Sequence, residues 1–550
     1  MSLYKKHIET INKAINAIGE RTFFAQYPEH PKAYGTEAPK LGKNAYSEQL
    51  NKPFTALLQT DSIGVVGEEK SPFTNELLGI KYPTFSIESL IERGNAVKKQ
   101  WSKVSIEERA GILVESLERA VNRFHEIAWA TNNTTGQSPA MSFQASGPHS
   151  ADRALEALTL GFMEMKRFPD QVQWDKPMGR ITISQNKTYR AIPKGIGLII
   201  GCSTFPTWNS VPGLYANLIT GNPSIVKPHP ASVYPIAIYI SVLQSVLEEN
   251  GLDPHIVQMA ADDSENLITK KLAEHPDVKL IDFTGSSSFG SYIESLEGKT
   301  IFTEKAGVNS VIIDSAKDMR EVMRNLAFSV SLYSGQMCTA PQNFFIPASG
   351  VETELEKMTY EQVVDLLRNE VASLALNTKM SGILGALNSE KTLERVKSVS
   401  DLGGNIVLES PKVVNPEFAN ARIAAPTIIE VDATNTAVYN QELFGPILVI
   451  VKTKDTDHSV ELAKKLVAEK GALTCAVYTS DEDKAAFITE EMNEVFAPVS
   501  LNFTGFSFVN QHAAFSDFHG TGGNPAGNAS FADPLFVNRR FVWVGNRKPA

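Results

Sequence analysis

Hydrophobic positions between residues 195 and 314 form short apolar runs separated by longer amphipathic segments. Short apolar runs bounded by turn residues are typical of buried strands, whereas the longer periodic segments are typical of helices. Because strands and helices alternate, the pattern predicts a parallel sheet covered on both faces. The predicted strands are 197–200, 224–226, 255–258, 280–283 and 310–313, and the predicted helices are 211–219, 233–249, 265–274 and 289–296.

A second alternating region spans residues 318–500, and the chain is therefore predicted to contain two α/β bodies. Before the first body, Ser105 and Glu108 form a capping box, and apolar residues recur at helical spacing over 110–128. This predicts one long amphipathic helix with Glu115 on its solvated face. The strands predicted in the second region are 405–408, 447–451 and 473–478.

Residues 174–192 alternate with a period of two, which predicts a β-hairpin with its turn at Asn186. The small apolar face of such a hairpin needs a packing partner, for example another subunit. Prolines punctuate residues 1–86, and they predict an extended N-terminal arm that packs on the body. A partly mobile leader is the alternative interpretation of that segment.

The composition is that of an ordinary folded protein, with 42% apolar residues, 21% charged residues and a formal net charge of −10. A mildly acidic chain lacks the concentrated basic face that nucleic-acid-binding proteins use. The first residues do not have the pattern of a signal peptide, and no apolar run approaches the ~18 residues of a membrane span. We expect a soluble, cytoplasmic protein without nucleic-acid or membrane partners.

The chain has three cysteines, too few for a disulfide scaffold. Cys475 lies in a predicted strand and Cys202 ends an apolar run, so both are interpreted as small packing residues. Cys338 follows a predicted helix within Ser-Gly-Gln-Met-Cys-Thr, where small neighbours leave its sulfur accessible. A thiol in that position is a candidate nucleophile. No HExxH or CxxC spacing occurs, and no metal site is predicted.

Gly285 and Ser286 lie where a buried strand leads into a helix. The amides at the start of a helix can bind an anion, and a simple serine N-cap is the alternative. The glycines of 193–201 precede a strand instead of following it, which favours a packing role. Glu304 and Glu442 each lie beside a predicted strand, and taken singly they are typical of solvated turns.

Five segments, taken in order, resemble motifs of the aldehyde dehydrogenase superfamily, and the resemblance covers the chain from about residue 87 onward. The segments are the Thr-Gly-Asn turn at 220–222 before the strand that ends in Lys227, the glycine motif at 285–290, the glutamate motif that begins at Glu304, Gly-Gln-x-Cys at 335–338, and Glu-x-Phe-Gly-Pro at 442–446.

The resemblance implies an α/β fold with a Rossmann-type cofactor domain, an α/β catalytic domain and a β oligomerisation hairpin. It also implies that residues 536–544 form a final strand that adds to the sheet of a neighbouring subunit, in a homodimer or homotetramer. The implied boundaries are 1–86 for the N-terminal arm, 87–173 and 193–304 for the cofactor domain, 174–192 and 525–550 for the oligomerisation strands, and 305–524 for the catalytic domain.

Family chemistry implies that the thiolate of Cys338 attacks an aldehyde carbon, that hydride leaves to a nicotinamide cofactor, and that Glu304 activates the water that hydrolyses the thioester. Such a base needs a pKa near neutrality, which burial would give to Glu304. His519, in a glycine-rich loop, is implied to face the substrate, and a structural histidine is the alternative. The implied cofactor-binding residues are Lys227, His229, Gly285, Ser286, Glu442 and Phe444.

Two positions depart from the family pattern. Where the family has an oxyanion-hole asparagine, a count without gaps reaches Thr204, and Asn209 is the alternative. Where NAD-preferring members have a glutamate that binds ribose hydroxyls, this chain has Pro230. The absence of that carboxylate removes repulsion of a ribose phosphate, and Lys227 and His229 supply positive or donor groups. NADP is therefore predicted as the cofactor, with NAD as the alternative.

Residues 71–83 and 202–206 resemble the phenylacetate-degradation (PaaN-type) branch, whose members act on semialdehydes formed by ring opening of aromatic CoA thioesters. This implies a small-molecule aldehyde substrate, and a CoA-linked aldehyde is one candidate. Two alternatives stay open. The acyl group could pass to CoA instead of water, or the chain could be a non-catalytic subunit of a pathway complex with a relic site.

Overall fold

The computed structural model describes residues 2–415 and 417–550. Its N-terminal segment is more regular than the proline pattern predicts. The expectation of an extended arm is wrong over two helices, because the prolines lie outside these helices or in the first turn of the second one. Gly111 lets the first helix pack closely against the helix that contains residue 111, because a Cβ at that position would lie 2.3 Å from the backbone nitrogen of Tyr4. The elements are α1 (Leu3–Glu20), α2 (Ala38–Gln49), β1 (Gly64–Val66) and β2 (Tyr82–Thr84).

A layer of helices follows, and the helix predicted over 110–128 is two helices that meet at Asn122 and Arg123. The Ser105–Glu108 capping box is confirmed. Glu115 is buried in an ion-pair cluster with α1, so its predicted solvation is wrong. The helices are α3 (Ile87–Lys103), α4 (Ile106–Val121), α5 (Phe124–Thr135), α6 (Pro139–Gln144) and α7 (Ser150–Met165).

The predicted hairpin is present as β3 (Gln171–Met178) and β4 (Ile181–Pro193). Its turn lies at Gly179, which has a φ of 64°. Asn186 is not in the turn, because it lies inside β4 and pairs with Gln173 of β3. A left-handed turn position favours glycine, and this explains where the chain reverses.

The first α/β body contains a five-stranded parallel sheet in the order β7-β6-β5-β8-β9. Four of the five strands predicted for this body and its predicted helices are present, with ends that differ by a few residues. The fifth predicted strand, 310–313, lies instead in the sheet of the second body, and residues 300–305 supply the fifth strand here. The elements are β5 (Ile196–Ile200), α8 (Pro206–Ile219), β6 (Ser224–Lys227), α9 (Tyr234–Glu249), β7 (Val257–Met259), α10 (Thr269–Glu274), β8 (Val278–Gly285), α11 (Ser287–Glu294) and β9 (Thr300–Lys305).

The second body contains a seven-stranded sheet in the order β15-β16-β17-β12-β10-β18-β19, and every pair except β15–β16 is parallel. A small separate sheet has the order β11-β13-β14. The elements are β10 (Ser310–Ile313), β11 (Ser315–Ala316), α12 (Met319–Ser331), β12 (Asn343–Pro347), β13 (Val351–Thr353), β14 (Lys357–Met358), α13 (Tyr360–Leu376), α14 (Glu390–Lys397), β15 (Asn405–Leu408), β16 (Thr427–Asp432), α15 (Thr436–Tyr439), β17 (Ile447–Thr453), α16 (Thr456–Lys470), β18 (Cys475–Tyr478), α17 (Glu482–Glu494) and β19 (Val499–Leu501).

The chain ends with α18 (Pro534–Asn538) and β20 (Phe541–Pro549). The final strand therefore begins later than predicted. It pairs antiparallel with β4 of the same chain and completes a three-stranded sheet in the order β20-β4-β3. Among the described residues, no helix is both long and apolar enough to cross a lipid bilayer. The division of the chain into domains at the boundaries given above stays a prediction.

Arg540, directly before the C-terminal strand, forms hydrogen bonds with the first body. Its guanidinium is 0% exposed and donates to both oxygens of Asp282, at 2.6 and 2.7 Å, and to Asn217 at 2.6 Å. Arg540→Ala leaves a buried carboxylate unpaired, which should lower the free energy of unfolding by about 3–5 kcal/mol. Denaturant unfolding measures this. The exposed Arg547→Ala, on the strand that follows Arg540, is the control and should change little.

Candidate active site

The loop that carries Cys338 is held in a strained backbone conformation. It follows α12 through a 3-10 turn in which Tyr333 and Ser334 have φ values of 51° and 50°. Both residues are buried, and their hydroxyls donate to the carbonyl oxygens of Thr135 (2.6 Å) and Ala424 (2.8 Å). Left-handed conformations at non-glycine residues persist where surrounding contacts dictate them, and they are common at functional sites.

Asn309 fixes the backbone on the other side of the thiol. Its amide nitrogen donates to the carbonyl oxygens of Cys338 (2.8 Å) and Ala340 (2.9 Å), and its Oδ1 accepts from the backbone of Leu473 and Thr474. This residue is not among those predicted from the sequence. The signal in the sequence is an amide side chain directly before β10. Buried backbone groups need hydrogen-bond partners, and an amide can supply them.

Glu304, Cys338 and His519 come together although they are far apart in sequence. The sulfur of Cys338 lies 3.7 Å from Nε2 of His519, and the same nitrogen lies 3.1 Å from Oε2 of Glu304. One donor atom from each of the three lies within 4.8 Å of the others. Thiol, imidazole and carboxylate can also hold a metal ion, but their mutual hydrogen bonds favour an acid–base unit.

The electrostatics of this unit differ from the sequence-based expectation. Burial raises the pKa of the Cys338 thiol well above its ordinary value, and the negative charge of Glu304 adds to that effect. Burial alone would also raise the pKa of Glu304. The charge and hydrogen bond of a protonated His519 outweigh burial, and they lower the pKa of Glu304. The expectation of a raised Glu304 pKa is therefore wrong, since it took account of burial and not of the histidine.

Two cavities meet at Cys338. The larger has a volume of about 410 Å³, and Cys338, Asn209 and His519 lie in its wall. The smaller has a volume of about 280 Å³, and Cys338 and Asn209 line it as well. A nucleophile reached from two sides can contact two different ligands. The smaller cavity is also lined by Gly285, Ser286, Glu304, Glu442 and Phe444.

A profile of the aldehyde dehydrogenase family matches residues 71–524. The chain belongs to the aldehyde dehydrogenase family.

Solved structures and curated relatives agree with this assignment. The chain superimposes with a TM-score of 0.97 on the crystal structure of an NAD-dependent aldehyde dehydrogenase from Burkholderia multivorans, which is 38% identical, with 100% of this chain and 99% of that chain covered. A 1-pyrroline-5-carboxylate dehydrogenase of Anoxybacillus flavithermus is 25% identical, with 84% of this chain and 88% of the relative covered. A benzaldehyde dehydrogenase of Bacillus subtilis is 25% identical, with 80% and 86% covered.

The candidates for the oxyanion donor lie in different positions. Asn209 is on α8 and lines both cavities, and its amide nitrogen lies 3.4 Å from Oε1 of Glu304. Thr204 lines only the smaller of these two cavities, and its hydroxyl faces the sulfur of Cys202 at 3.9 Å. Cys202 lines that cavity too and contacts Asn209 at 3.6 Å, so its interpretation as a core packing residue is wrong. Cys475 is buried in β18, as predicted.

The smaller cavity fits the nicotinamide end of the family's cofactor. β8 and β9 are parallel neighbours, and their pairing sets Thr284 beside Glu304 at the carboxyl edge of the sheet, where dinucleotides bind in such folds. Ser286, the N-cap of α11, directly follows β8 at this edge, and its side chain makes no capping hydrogen bond. Burial raises the pKa of Glu442 to about 7 despite the nearby Arg395.

Lys227 and His229 lie outside both cavities. The ammonium of Lys227 is buried and forms a 2.6 Å ion pair with Asp262. His229 is exposed, and its Nδ1 accepts a hydrogen bond from the backbone of Ala231. The structure therefore separates these two predicted cofactor residues from Gly285, Ser286, Glu442 and Phe444.

Proposed function

We propose that this aldehyde dehydrogenase oxidises an uncharged, apolar aldehyde to the carboxylic acid, with Cys338 as nucleophile and Glu304 as the base for hydrolysis. The observation that carries the proposal is the position of Cys338 at the junction of an apolar cavity and a second cavity that residues of both α/β bodies line. When bound, the cofactor supplies a hydride acceptor.

The residues around the thiol match the steps of this oxidation. The thiolate of Cys338 attacks the aldehyde carbon, and the carbonyl oxygen becomes an oxyanion that the amide of Asn209 can stabilise. Collapse of this adduct expels hydride and leaves a thioester on Cys338. Glu304 then takes a proton from the attacking water. Its lowered pKa keeps it ionised over the usual assay range, so it is ready to accept that proton.

The larger cavity favours a substrate without charge. Among the described residues that line it there is no lysine or arginine, and the N-terminal segment adds the carboxyl group of Glu29. A carboxylate or phosphate on the substrate would find no cation there. Its volume lies in the usual range for small-ligand sites. Its apolar lining includes Met141, Phe205, Trp208, Phe328, Met337 and Phe508.

An aldehyde panel tests the substrate class. We expect kcat/KM for benzaldehyde and phenylacetaldehyde to exceed that for a carboxylated semialdehyde at least tenfold, measured as reduced nicotinamide with NAD and with NADP. The match to a benzaldehyde dehydrogenase supports the aromatic substrates. A CoA-linked semialdehyde belongs in the panel because the phenylacetate-degradation assignment stays a prediction. If that compound is the best substrate, the uncharged class is wrong.

Two alternatives predict other results. A CoA-acylating enzyme would form an acyl-CoA, and product analysis with and without CoA separates it from a hydrolytic enzyme. The proximity of Glu304 to the thiol supports hydrolysis. A relic site in a pathway-complex subunit would not bind a nicotinamide cofactor tightly, and a cofactor titration tests this.

Asn209 and Thr204 can be separated as oxyanion donors. We expect Asn209→Ala to reduce kcat by about 10²–10³-fold, since it removes a donor from the junction of the cavities. Thr204→Val, which removes a hydroxyl that faces Cys202, should reduce kcat by less than about threefold. Steady-state kinetics with a saturating aldehyde measure both. If Thr204→Val reduces kcat more than Asn209→Ala does, Thr204 is the oxyanion donor, as the ungapped count predicts.

Cofactor affinity should depend on pH through Glu442. As a carboxylate, this residue can accept hydrogen bonds from ribose hydroxyls, and its pKa in the free protein is about 7. A ligand that binds the ionised form binds more tightly as pH rises, by roughly tenfold per unit below that pKa and little above it. We expect the dissociation constant to fall between pH 6 and 7.5. Glu442→Gln should abolish this slope, whereas an unchanged slope would exclude Glu442 as its source.

NADP preference follows from Pro230 and stays a prediction. The ion pair between Lys227 and Asp262 works against it, because it neutralises one of the expected partners of a ribose phosphate. Kinetics with both cofactors decide the question. Pro230→Glu should shift the ratio of kcat/KM towards NAD, since a carboxylate repels the phosphate.

A homodimer or homotetramer is proposed from the outer sheet β20-β4-β3. Its strands expose large apolar side chains, and its edges are open strands that proteins usually cover. Light scattering of the purified protein measures the oligomeric state. Among the exposed side chains are Trp174, Met178, Ile181, Ile183, Val542 and Val544.

A further inference from the structure

We propose that His519 is the base that removes the proton of the Cys338 thiol, with Glu304 stabilising the resulting imidazolium and His512 selecting the ring tautomer. This inference rests on the proposed function, because it concerns the step before attack on the aldehyde. It assigns a catalytic role to a residue of the C-terminal glycine-rich loop, in addition to the roles of Cys338 and Glu304.

The need for such a base comes from the thiol itself. Only the thiolate is an effective nucleophile, and a buried thiol next to a carboxylate is held in its protonated form. The carboxylate of Glu304 opposes the formation of a second negative charge beside it. An imidazole in contact with the sulfur resolves this, since a thiolate–imidazolium pair adds no net charge to the site.

The geometry places one nitrogen of His519 correctly for this transfer. Nε2 lies 3.7 Å from the sulfur and 3.1 Å from Oε2 of Glu304. Hydrogen bonds between a nucleophile and its base are often longer in structures without substrate. The proton moves from sulfur to Nε2, and the electron pair of the S–H bond stays on sulfur. The new Nε2–H then lies between the thiolate and Oε2 of Glu304, and the charge of this carboxylate stabilises the imidazolium. This differs from a catalytic triad, in which the acid contacts the other ring nitrogen of the histidine.

His512 determines which nitrogen of His519 is free to accept the proton. The two Nδ1 atoms lie 3.2 Å apart, so one of them must donate to the other. Burial lowers the pKa of His512 well below its ordinary value, and the neighbouring His519 and Arg153 add to this. A neutral His512 that accepts at Nδ1 holds the proton of His519 on Nδ1, which leaves Nε2 as the acceptor.

The ring of His519 has little freedom to turn. It is 3% exposed, packs edge-on against Trp208 at 4.5 Å and stacks on Phe531 at 5.6 Å between ring centroids. Arg153 holds the loop of His512 through hydrogen bonds to the carbonyl oxygens of His512, Ala513 and Asp517. Packing therefore maintains the alignment of the two rings before substrate enters.

Several titratable groups surround the pair, and they belong to different elements. Glu304 comes from β9, and Cys338 comes from the loop after α12. On the helical side, burial and the nearby Arg153 lower the pKa of His149 to about 3, so it stays neutral in the assay range. The charge of Arg153 is balanced by Glu156, at 2.7 Å on the same helix. Glu304 is thus the anion in contact with His519 that can stabilise its protonated ring.

Alkylation of the thiol tests the proposal without aldehyde or cofactor. The full-length protein is treated with iodoacetamide between pH 5.5 and 9.5, and mass spectrometry follows the peptide that contains Cys338. In the wild type, the rate should rise to a plateau near neutral pH, because the thiolate–imidazolium pair forms there. In His519→Gln, the rate at pH 7 should be at least tenfold lower and should still rise above pH 9.

Variants of His512 test the tautomer. His512→Phe, which cannot accept a hydrogen bond, should slow alkylation at pH 7 by about three- to tenfold, whereas His512→Asn should restore the rate because its amide oxygen can accept. His458→Gln is the matched control, since His458 lies on α16 and lines neither cavity. Its profile should equal that of the wild type.

Two results would overturn the proposal. One is an alkylation rate for His519→Gln equal to that of the wild type at every pH. The other needs no variant, and it is a wild-type rate that keeps rising beyond pH 9 without a plateau. Failure of the proposed function is a separate observation: no aldehyde in the panel would reduce the cofactor, although the wild-type protein shows the plateau.

Discussion

Cys338→Ala should lower kcat/KM for aldehyde oxidation by at least about 10⁴-fold, because the reaction passes through a covalent bond to this sulfur. Cofactor binding should be retained, since Cys338 forms only part of the wall of the smaller cavity. The measurement is the formation of reduced nicotinamide at high enzyme concentration, together with a cofactor titration. Retained binding shows that the loss lies in the chemistry and not in folding.

Cys475→Ala is the matched control for this change. Cys475 is buried in β18 and has the same side chain without access to either cavity. Its replacement should leave kcat/KM within about twofold of the wild type while it lowers the free energy of unfolding by about 1 kcal/mol, as expected when a small buried group is removed. A Cys338→Ala variant with substantial turnover would exclude Cys338 as the nucleophile.

Glu304→Gln should produce a burst of about one equivalent of reduced nicotinamide followed by turnover that is about 10²–10⁴-fold slower than in the wild type. Attack and hydride departure do not require Glu304 to accept a proton from water, so the acyl-enzyme should accumulate. Rapid-mixing absorbance measures the burst, and intact mass measures the acyl group on Cys338. Glu297→Gln, a conservative change at an exposed residue that lines neither cavity, is the control and should turn over normally.

Other outcomes for this variant point to other mechanisms. Normal steady-state turnover would mean that another group activates the water. Turnover that CoA restores, with an acyl-CoA product, would favour the CoA-acylating alternative. If neither a burst nor turnover occurs, acylation itself depends on Glu304. In that case the stabilisation of the His519 imidazolium by this carboxylate would be essential and not only helpful.

The prediction of the N-terminal segment shows where local patterns mislead. Prolines predict an irregular segment, yet they lie outside α1 and α2 or in the first turn of α2, where they do not interrupt a helix. The wrong turn in the hairpin has a similar origin. Asn186 is a common turn residue, but Gly179 takes the left-handed conformation, and pairing of β4 with β20 and β3 determines which residue is used.

The amino-acid sequence by itself determined the two α/β bodies and the positions of Cys338, Glu304 and Glu442. Strand and helix periodicity is a local property, and the family motifs are short segments of the chain. The tertiary structure decided what these residues face. Asn209, Asn309 and His512 reach the site from elements far apart in sequence, and no spacing pattern connects them. The pKa of Glu304 is lowered by His519, which is far away along the chain, and only folding creates this contact.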